Sequence, residues 1–175
     1  MHFGVIVCSL GARYKSYCSN LVRTLLVNPT DSIKDNYEFL LEVEEELIKH
    51  LKAGAKLCDV YQAGLSFVKS KKPHLVDSMT KNFGFAMGIE FRESSLLIAP
   101  KTTAVLKKNM VFNLNVGFAN LSNKDGTDKE SKVYALFIGD TVLVNEVRGK
   151  GFCKVFEWEI IIFLGVSGWT CNNIY

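Results

Sequence analysis

The apolar residues of this chain change their period twice, and that succession limits the folds open to it more than any other feature. Phe3 to Leu10 and Tyr17 to Val27 are dense in β-favouring residues, which predicts an antiparallel hairpin with its connection near Gly11 to Lys15. Asn28-Pro29 breaks the second strand, and Thr30, Asp31 and Ser32 offer capping oxygens to a helix. The spacing then becomes three and four: Leu40, Val43, Leu47 and Leu51 share one helical face, opposite Glu42, Glu45, Glu46 and Lys49, and Gly54 closes the helix. A second amphipathic helix is predicted from about Cys58 to Lys71, with Val60, Tyr61, Leu65 and Val68 inward. Pro73 opens a short third turn or helix.

From Asn82 the texture becomes extended again. The run to Glu93 is aromatic and punctuated by Gly84 and Gly88, as in a backbone threading closely past other strands. Val111 to Phe118, Lys132 to Ile138 and Thr141 to Val144 read as three β segments, with a turn at Asn123-Lys-Asp-Gly126 between the first two. Strands, then helices, then strands predict an α+β fold. The length of 175 residues suits one core. Residues 148–175 begin with Gly-Lys-Gly and become rich in Trp, Phe and Ile, and no preceding element accommodates them.

Several function classes lack the residues they need. The net charge of +3 is too small for a dedicated DNA binder. Lys69, Lys71, Lys72 and Lys81 form a loose basic cluster with little aromatic interleaving. The five cysteines contain no Cys-x-x-Cys pair, so they predict buried thiols in a reducing compartment and neither a zinc ladder nor a disulfide framework. No two of His2, His50 and His74 have metal-ligand spacing, and Gly84 to Gly88 lacks the Lys-Ser/Thr of a phosphate loop. The start lacks a secretory signal, and Ile160 to Val166 is far shorter than the roughly 20 residues of a membrane helix. These features predict a soluble chain without membrane contact.

Four segments carry a more specific signal: Ser9-Leu-Gly-Ala-Arg-Tyr through Arg23-Thr24, Gly84 to Glu93, Met110 to Phe118, and Ala135 to Val144. In this order they resemble the creatinase and aminopeptidase P superfamily, whose fold is called pita-bread. The resemblance spans Phe3 to Asn145 and implies a partial pita-bread fold over residues 1–147, a curved antiparallel sheet with two to three helices, followed by a divergent segment 148–175. Active members hold two metal ions with two Asp, one His and two Glu to activate water. The resemblance places Ser9 and Asn20 at the two Asp, Phe85 at the His, and Asn115 and Gly139 at the two Glu. Arg92 stands at a further catalytic His, beside a retained Glu93. It therefore implies a chain that is no enzyme and carries no metal or other cofactor. Asn109 takes the place of a glycine that usually precedes Met110, at a turn where a positive φ is required.

Among relatives that lost the metals, Ser-Leu-Gly-Ala-Arg-Tyr, Met-Gly-Ile-Glu-Phe-Arg-Glu and Tyr-Ala-Leu-Phe-Ile-Gly-Asp-Thr-Val-Leu-Val are similar to the large subunits of the FACT histone-chaperone complex. That resemblance implies a chromatin protein of the nucleus and chromosome, which reorganises nucleosomes in transcription, replication and repair. Its implied partners are histones and the HMG-box small subunit, with nucleosomal DNA contacted only indirectly. Charge alone nominates Glu42, Glu44, Glu45, Glu46, Glu90, Arg92 and Glu93 as binding residues, although an acidic run such as Glu42 to Glu46 is more often a solvated helix face. The chain is expected to be a partial copy, lacking the family's N-terminal lobe, acidic linker and acidic tail. A truncated or retrocopied product with little independent function is the alternative.

Overall fold

The computed structural model describes residues 4–123, 132–146, 149–151 and 162–163. Two long strands, β1 (Val5–Tyr14) and β2 (Tyr17–Val27), precede two helices, α1 (Asp31–His50) and α2 (Leu57–Lys71). A 3-10 turn (Pro73–Ser78) leads into β3 (Gly84–Ala86), β4 (Glu93–Leu97), β5 (Val111–Ser122) and β6 (Val133–Leu143). The short strands β7 (Lys150–Gly151) and β8 (Ile162–Phe163) follow. They form a single sheet in the order β1-β2-β6-β5-β3-β4, with β7 added to β6 and β8 lying parallel to β2. This is the predicted α+β architecture. No described helix is long and apolar enough to cross a membrane.

The helices cover one face of the sheet. Leu40, Val43, Leu47 and Leu51 of the predicted stripe are wholly buried, together with Val60 and Val68 of α2. Their partners are the even-numbered residues of β5 and β6: Phe112, Leu114, Val116 and Phe118, then Leu136, Ile138 and Val142. Burying each such side chain contributes about 1.5–3 kcal/mol. Thr30 is the N-cap position of α1, as Asn28-Pro29 suggests, but its side chain makes no cap hydrogen bond. Its carbonyl instead accepts from the amides of Ile33 and Lys34, at 3.0 and 3.1 Å, and Asp31 supplies the negative charge favoured in a first turn.

Three boundaries differ from the sequence reading. The hairpin connection is the pair Lys15-Ser16, with φ of 45° and 71°, and Gly11 to Tyr14 continue β1. Two consecutive positive φ values give a turn whose twist matches the flanking strands, so Tyr14 pairs directly with Tyr17 without an Asn-Gly signal. The two predicted segments 132–138 and 141–144 are essentially one strand, because Gly139 is paired on both sides, with Val22 and with Asn115. Ladder pairing overrides the low strand propensity of glycine there. The divergent segment contributes β7 and β8, which pair with the interior strands β6 and β2. The predicted turn at Asn123–Gly126 lies mostly outside the described residues, although Asn123 donates to the Lys132 carbonyl at 2.7 Å, as a β5–β6 hairpin requires.

Gly84 is as constrained as its setting suggested. Its φ is +125°, and a Cβ there would lie 2.0 Å from the Asn113 carbonyl oxygen. Asn109 adopts φ 69°, the left-handed conformation that Asn tolerates best after glycine.

Candidate functional site

Strand register sets the geometry of the site. Ser9 pairs with Val22, Val22 with Gly139, and Gly139 with Asn115, which makes a straight row across four adjacent strands. Asn20 lies two residues along β2 from Val22, opposite Gly11, and Phe85 on β3 pairs with Asn113. The five positions singled out by the resemblance thus come one each from β1, β2, β6, β5 and β3, in the sheet's own order. Because even-numbered residues of β5 and β6 pack under the helices, the alternation of a strand turns Asn113, Asn115, Gly139 and Thr141 to the opposite face. On that face the Ser9 hydroxyl donates to the Asn20 side-chain oxygen at 3.3 Å.

The donor chemistry of this row does not fit a pair of divalent cations. It offers one hydroxyl, two neutral amides, a phenyl ring and a glycine, whereas hard cations are held by anionic oxygens and borderline ones by imidazole. Val22, only 3% exposed, fills the middle of the row with an apolar side chain. A Cβ at Gly139 would lie 2.8 Å from that of Asn115. Phe85 is buried against the edge of Phe91, ring centroids 5.6 Å apart, with the Arg92 guanidinium 5.1 Å above its ring. A fixed cation therefore stands over the position assigned to a ligand imidazole. Among the described residues, no three His, Cys, Asp or Glu side chains converge as a metal cluster would require.

Beside the row a cleft of about 510 Å³ opens between the hairpin tip and the loop after β3, lined by Tyr17, Cys18, Met87, Met110, Val111 and Thr141 among others. The loop is fastened to the hairpin: the Cys18 amide donates to the Gly88 carbonyl at 2.7 Å, and Arg13 donates to that of Ile89 at 3.4 Å. Tyr17 on its wall is 62% exposed, and Ile89 and Phe91 of the same loop are also exposed. No carboxylate lines the cleft. Its walls suit an apolar side chain of a bound peptide.

The nominated charged residues are divided between two places. Glu90 and Arg92 lie on the exposed loop near Phe85 and Glu93 opens β4, where Ser95 holds the Glu93 carboxylate through its hydroxyl at 2.8 Å and its amide at 3.2 Å, which lowers the Glu93 pKa. Glu42, Glu45 and Glu46 belong to α1, on the far side of the sheet. Glu42 pairs with Lys71 and Glu46 with Lys49, each at 3.1 Å. Lys72 pairs with Asp35, so part of the basic cluster is engaged within the chain as well.

Glu44 corrects the expectation of a solvated acidic run. It is buried, 6% exposed, seven residues along the helix from Tyr37 and turned toward the sheet. There Arg23 of β2 and Asp140 of β6 form an ion pair at 2.8 Å. Burial, followed by the negative charge of Asp140, pushes the Glu44 carboxyl up to about 8, against the opposing pull of Arg23. The stripe Leu40, Val43, Leu47 carried the signal for this: the residue after Val43 lies at its margin. Val22 and Thr141 also escaped the sequence reading, since an isolated Val or Thr in a strand looks like any other strand residue.

The profile of metallopeptidase family M24 matches residues 3–146. FACT complex subunit SPT16 of Dictyostelium discoideum is 44% identical over 147 residues, which are 83% of this chain and 14% of that protein. The N-terminal domain of FACT complex subunit SPT16 from chickpea superposes with a TM-score of 0.79 at 41% identity, covering 84% of this chain and 34% of that one. The X-Pro aminopeptidase of Thermotoga maritima shares the fold, with a TM-score of 0.75 at 23% identity over 90% of this chain and 41% of its own. The chain thus spans about a seventh of the length of the curated SPT16 relative.

Proposed function

The chain belongs to metallopeptidase family M24, and on that footing we propose that it is a non-enzymatic histone-binding part of a FACT-type chromatin complex. The observation that carries this reading is identity above 40% with FACT complex subunits along four-fifths of the chain. Ser9, Asn20, Phe85, Asn115 and Gly139 occupy the former metal-ligand positions, and none supplies a carboxylate or an imidazole. The scaffold is kept and the hydrolytic chemistry is lost.

Binding then falls to the face that once held substrate. An extended, basic histone segment lies along the cleft beside the row, placing an apolar side chain between Tyr17, Met87 and Met110 while its cations meet Glu90 and Glu93 at the rim. The HMG-box small subunit and the histones are the partners, DNA is contacted only through them, and the setting is the nucleus and the chromosome. Glu42, Glu45 and Glu46 form a second acidic surface on the helical side, which one short peptide at the cleft does not reach.

The test is a pull-down of this chain from nuclear extract, scored for histones and the small subunit, beside titration of histone peptides onto the purified protein. Recovery of histones, with affinity that falls as salt rises and falls again in E90K/E93K, supports the reading. An affinity unchanged by those charge reversals removes the rim assignment, and no histone recovery removes the function.

A further inference from the structure

The Asn113 side-chain oxygen is buried without a hydrogen-bond partner among the described residues, in a residue only 1% exposed. Protein interiors keep few such atoms, because a buried acceptor that has lost its water and found no donor is destabilising. Asn113 lies on β5, on the face of the sheet that carries the row, with Phe85 of β3 on one side and Thr141 of β6 on the other. Strands on both sides enclose it, so its burial does not depend on an outer edge of the sheet.

Met87 forms its roof. The Met87 amide donates to the Val111 carbonyl at 2.9 Å, which seats this residue beside β5, yet its sulfur lies 3.9 Å from the Thr141 hydroxyl oxygen. β5 runs between β3 and β6 in the sheet. The Met87 side chain therefore crosses β5 over the stretch from Val111 to Asn113. Met87, Val111 and Thr141 also line the cleft. Asn113 thus sits directly behind the cleft wall, shut off by one unbranched side chain of the kind that repacks most easily.

Charge selects what can reach it. No carboxylate lines the cleft, and the Arg92 guanidinium stands 5.1 Å over the ring of Phe85, the cross-strand neighbour of Asn113. An ammonium brought to Asn113 would find no counter-ion and a fixed cation close by. A neutral amide matches: its N–H meets the unpartnered oxygen and its carbonyl accepts from the Asn113 amide nitrogen. The approach runs between the apolar walls of Tyr17, Met87 and Met110, so that amide has to stand at the end of a long apolar stem.

Resting on the reading of the cleft as a peptide site, we propose that Asn113 completes a subsite for a lysine acylated on its ε-nitrogen. The methylene stem lies between the cleft walls, Met87 swings aside, and the acyl amide pairs with Asn113.

Fluorescence anisotropy on the full chain tests this with three lysine-rich peptides identical except at one central position, which holds lysine, Nε-acetyl-lysine or glutamine. The acetylated peptide is expected to bind at least ~tenfold tighter than either of the others. Asn113→Val deletes an acceptor that has no partner in the free protein, so the melting temperature should hold or rise while the acetyl advantage disappears. A purely structural Asn113 predicts the reverse, a lower melting temperature with the advantage kept. Should Asn113→Val fail to fold, the nearly isosteric Asn113→Asp decides, since its carboxylate cannot donate to the acyl carbonyl and must lose the advantage too. Met87→Ala removes the roof and should keep it. The inference is overturned by the absence of an acetyl preference, whether the peptides bind equally or not at all. A glutamine peptide that binds as tightly as the acetylated one, or an Asn113 variant that retains the preference, overturns it as well. Equal binding of all three leaves histone binding itself standing, whereas an acetyl preference without histone recovery from nuclear extract keeps the subsite and removes that function.

Discussion

The Thr141 hydroxyl accepts a hydrogen bond from the Asn20 amide and donates one to the Asn20 carbonyl, both at 2.9 Å. Four residues away along β6 the same exchange runs the other way: the Thr24 hydroxyl donates to the Phe137 carbonyl at 2.7 Å and accepts from its amide at 2.8 Å. Between them lies the Val22–Gly139 pair that joins β2 to β6. Two side chains therefore stand in for backbone ladder on either side of the row. Replacing either threonine by valine keeps the shape and strands an amide and a carbonyl in the interior. Each replacement is expected to cost about 2–3 kcal/mol in denaturant unfolding. Amide exchange should quicken at Asn20 in Thr141→Val and at Phe137 in Thr24→Val, and an unaltered exchange pattern would count against the seam.

Glu44 makes stability depend on pH with a definite sign. Its carboxyl titrates at about 8 in the folded chain against a reference of 4.5, so between those values the folded state holds a proton that the unfolded state has released. Stability contributed by this group is full below about pH 4.5 and is lost as pH rises toward 8. Glu44→Gln keeps the shape and removes the ionisation. The variant should show a flatter profile of unfolding midpoint from pH 5 to 8 and gain relative to wild type at the upper end. Identical profiles would mean that Glu44 is hydrated in solution.

Sequence pattern reached the elements whose signal is local. The three-and-four spacing of Leu40, Val43, Leu47 and Leu51 located α1 and its buried face, and Gly84 marked a close backbone passage, whereas a Cβ at Gly88 would meet nothing within 4 Å. Long-range pairing was out of reach. Nothing near Gly139 reveals that it is held between Val22 and Asn115, and nothing near Glu44 reveals the Arg23–Asp140 pair waiting on the sheet. The site was legible as five separate residues through the resemblance, but their alignment into one row depends on register, which is a property of strand pairs.

Gly64 sets the approach of α2 to α1. A Cβ at this position would lie 2.6 Å from Leu47 Cδ2 and 3.1 Å from the Phe83 ring, both wholly buried. In an exposed helix Gly→Ala gains about 1 kcal/mol, but here the contact dominates, and Gly64→Ala should destabilise by about 1–3 kcal/mol. Leu47→Ala alone should cost about 2–5 kcal/mol. The double variant should cost less than the sum of the two, because the cavity at Leu47 receives the new methyl, and a double-mutant cycle in urea measures that coupling.

The chemistry of the row predicts the response to metal ions. An ion that binds the folded chain at a hundred times its Kd adds about 2.7 kcal/mol of stability, which moves the melting temperature of a chain this size by several degrees. Ser9, Asn20 and Asn115 present neutral oxygens, Val22 and Phe85 present carbon, and Arg92 adds a positive charge beside them. Mn²⁺ and Mg²⁺ are the discriminating probes, since both prefer oxygen donors and avoid the thiols of Cys8, Cys18 and Cys58. Neither ion should raise the melting temperature or give saturable heat in calorimetry, and dipeptide turnover should be absent with either. Saturable binding of two ions per chain would mean that the amides and hydroxyl recruit carboxylates from elsewhere, Glu90 and Glu93 being the nearest along the loop. Restoring one carboxylate through Asn115→Asp should leave the result unchanged, because Gly139 still lacks a side chain and the Arg92 guanidinium still covers Phe85.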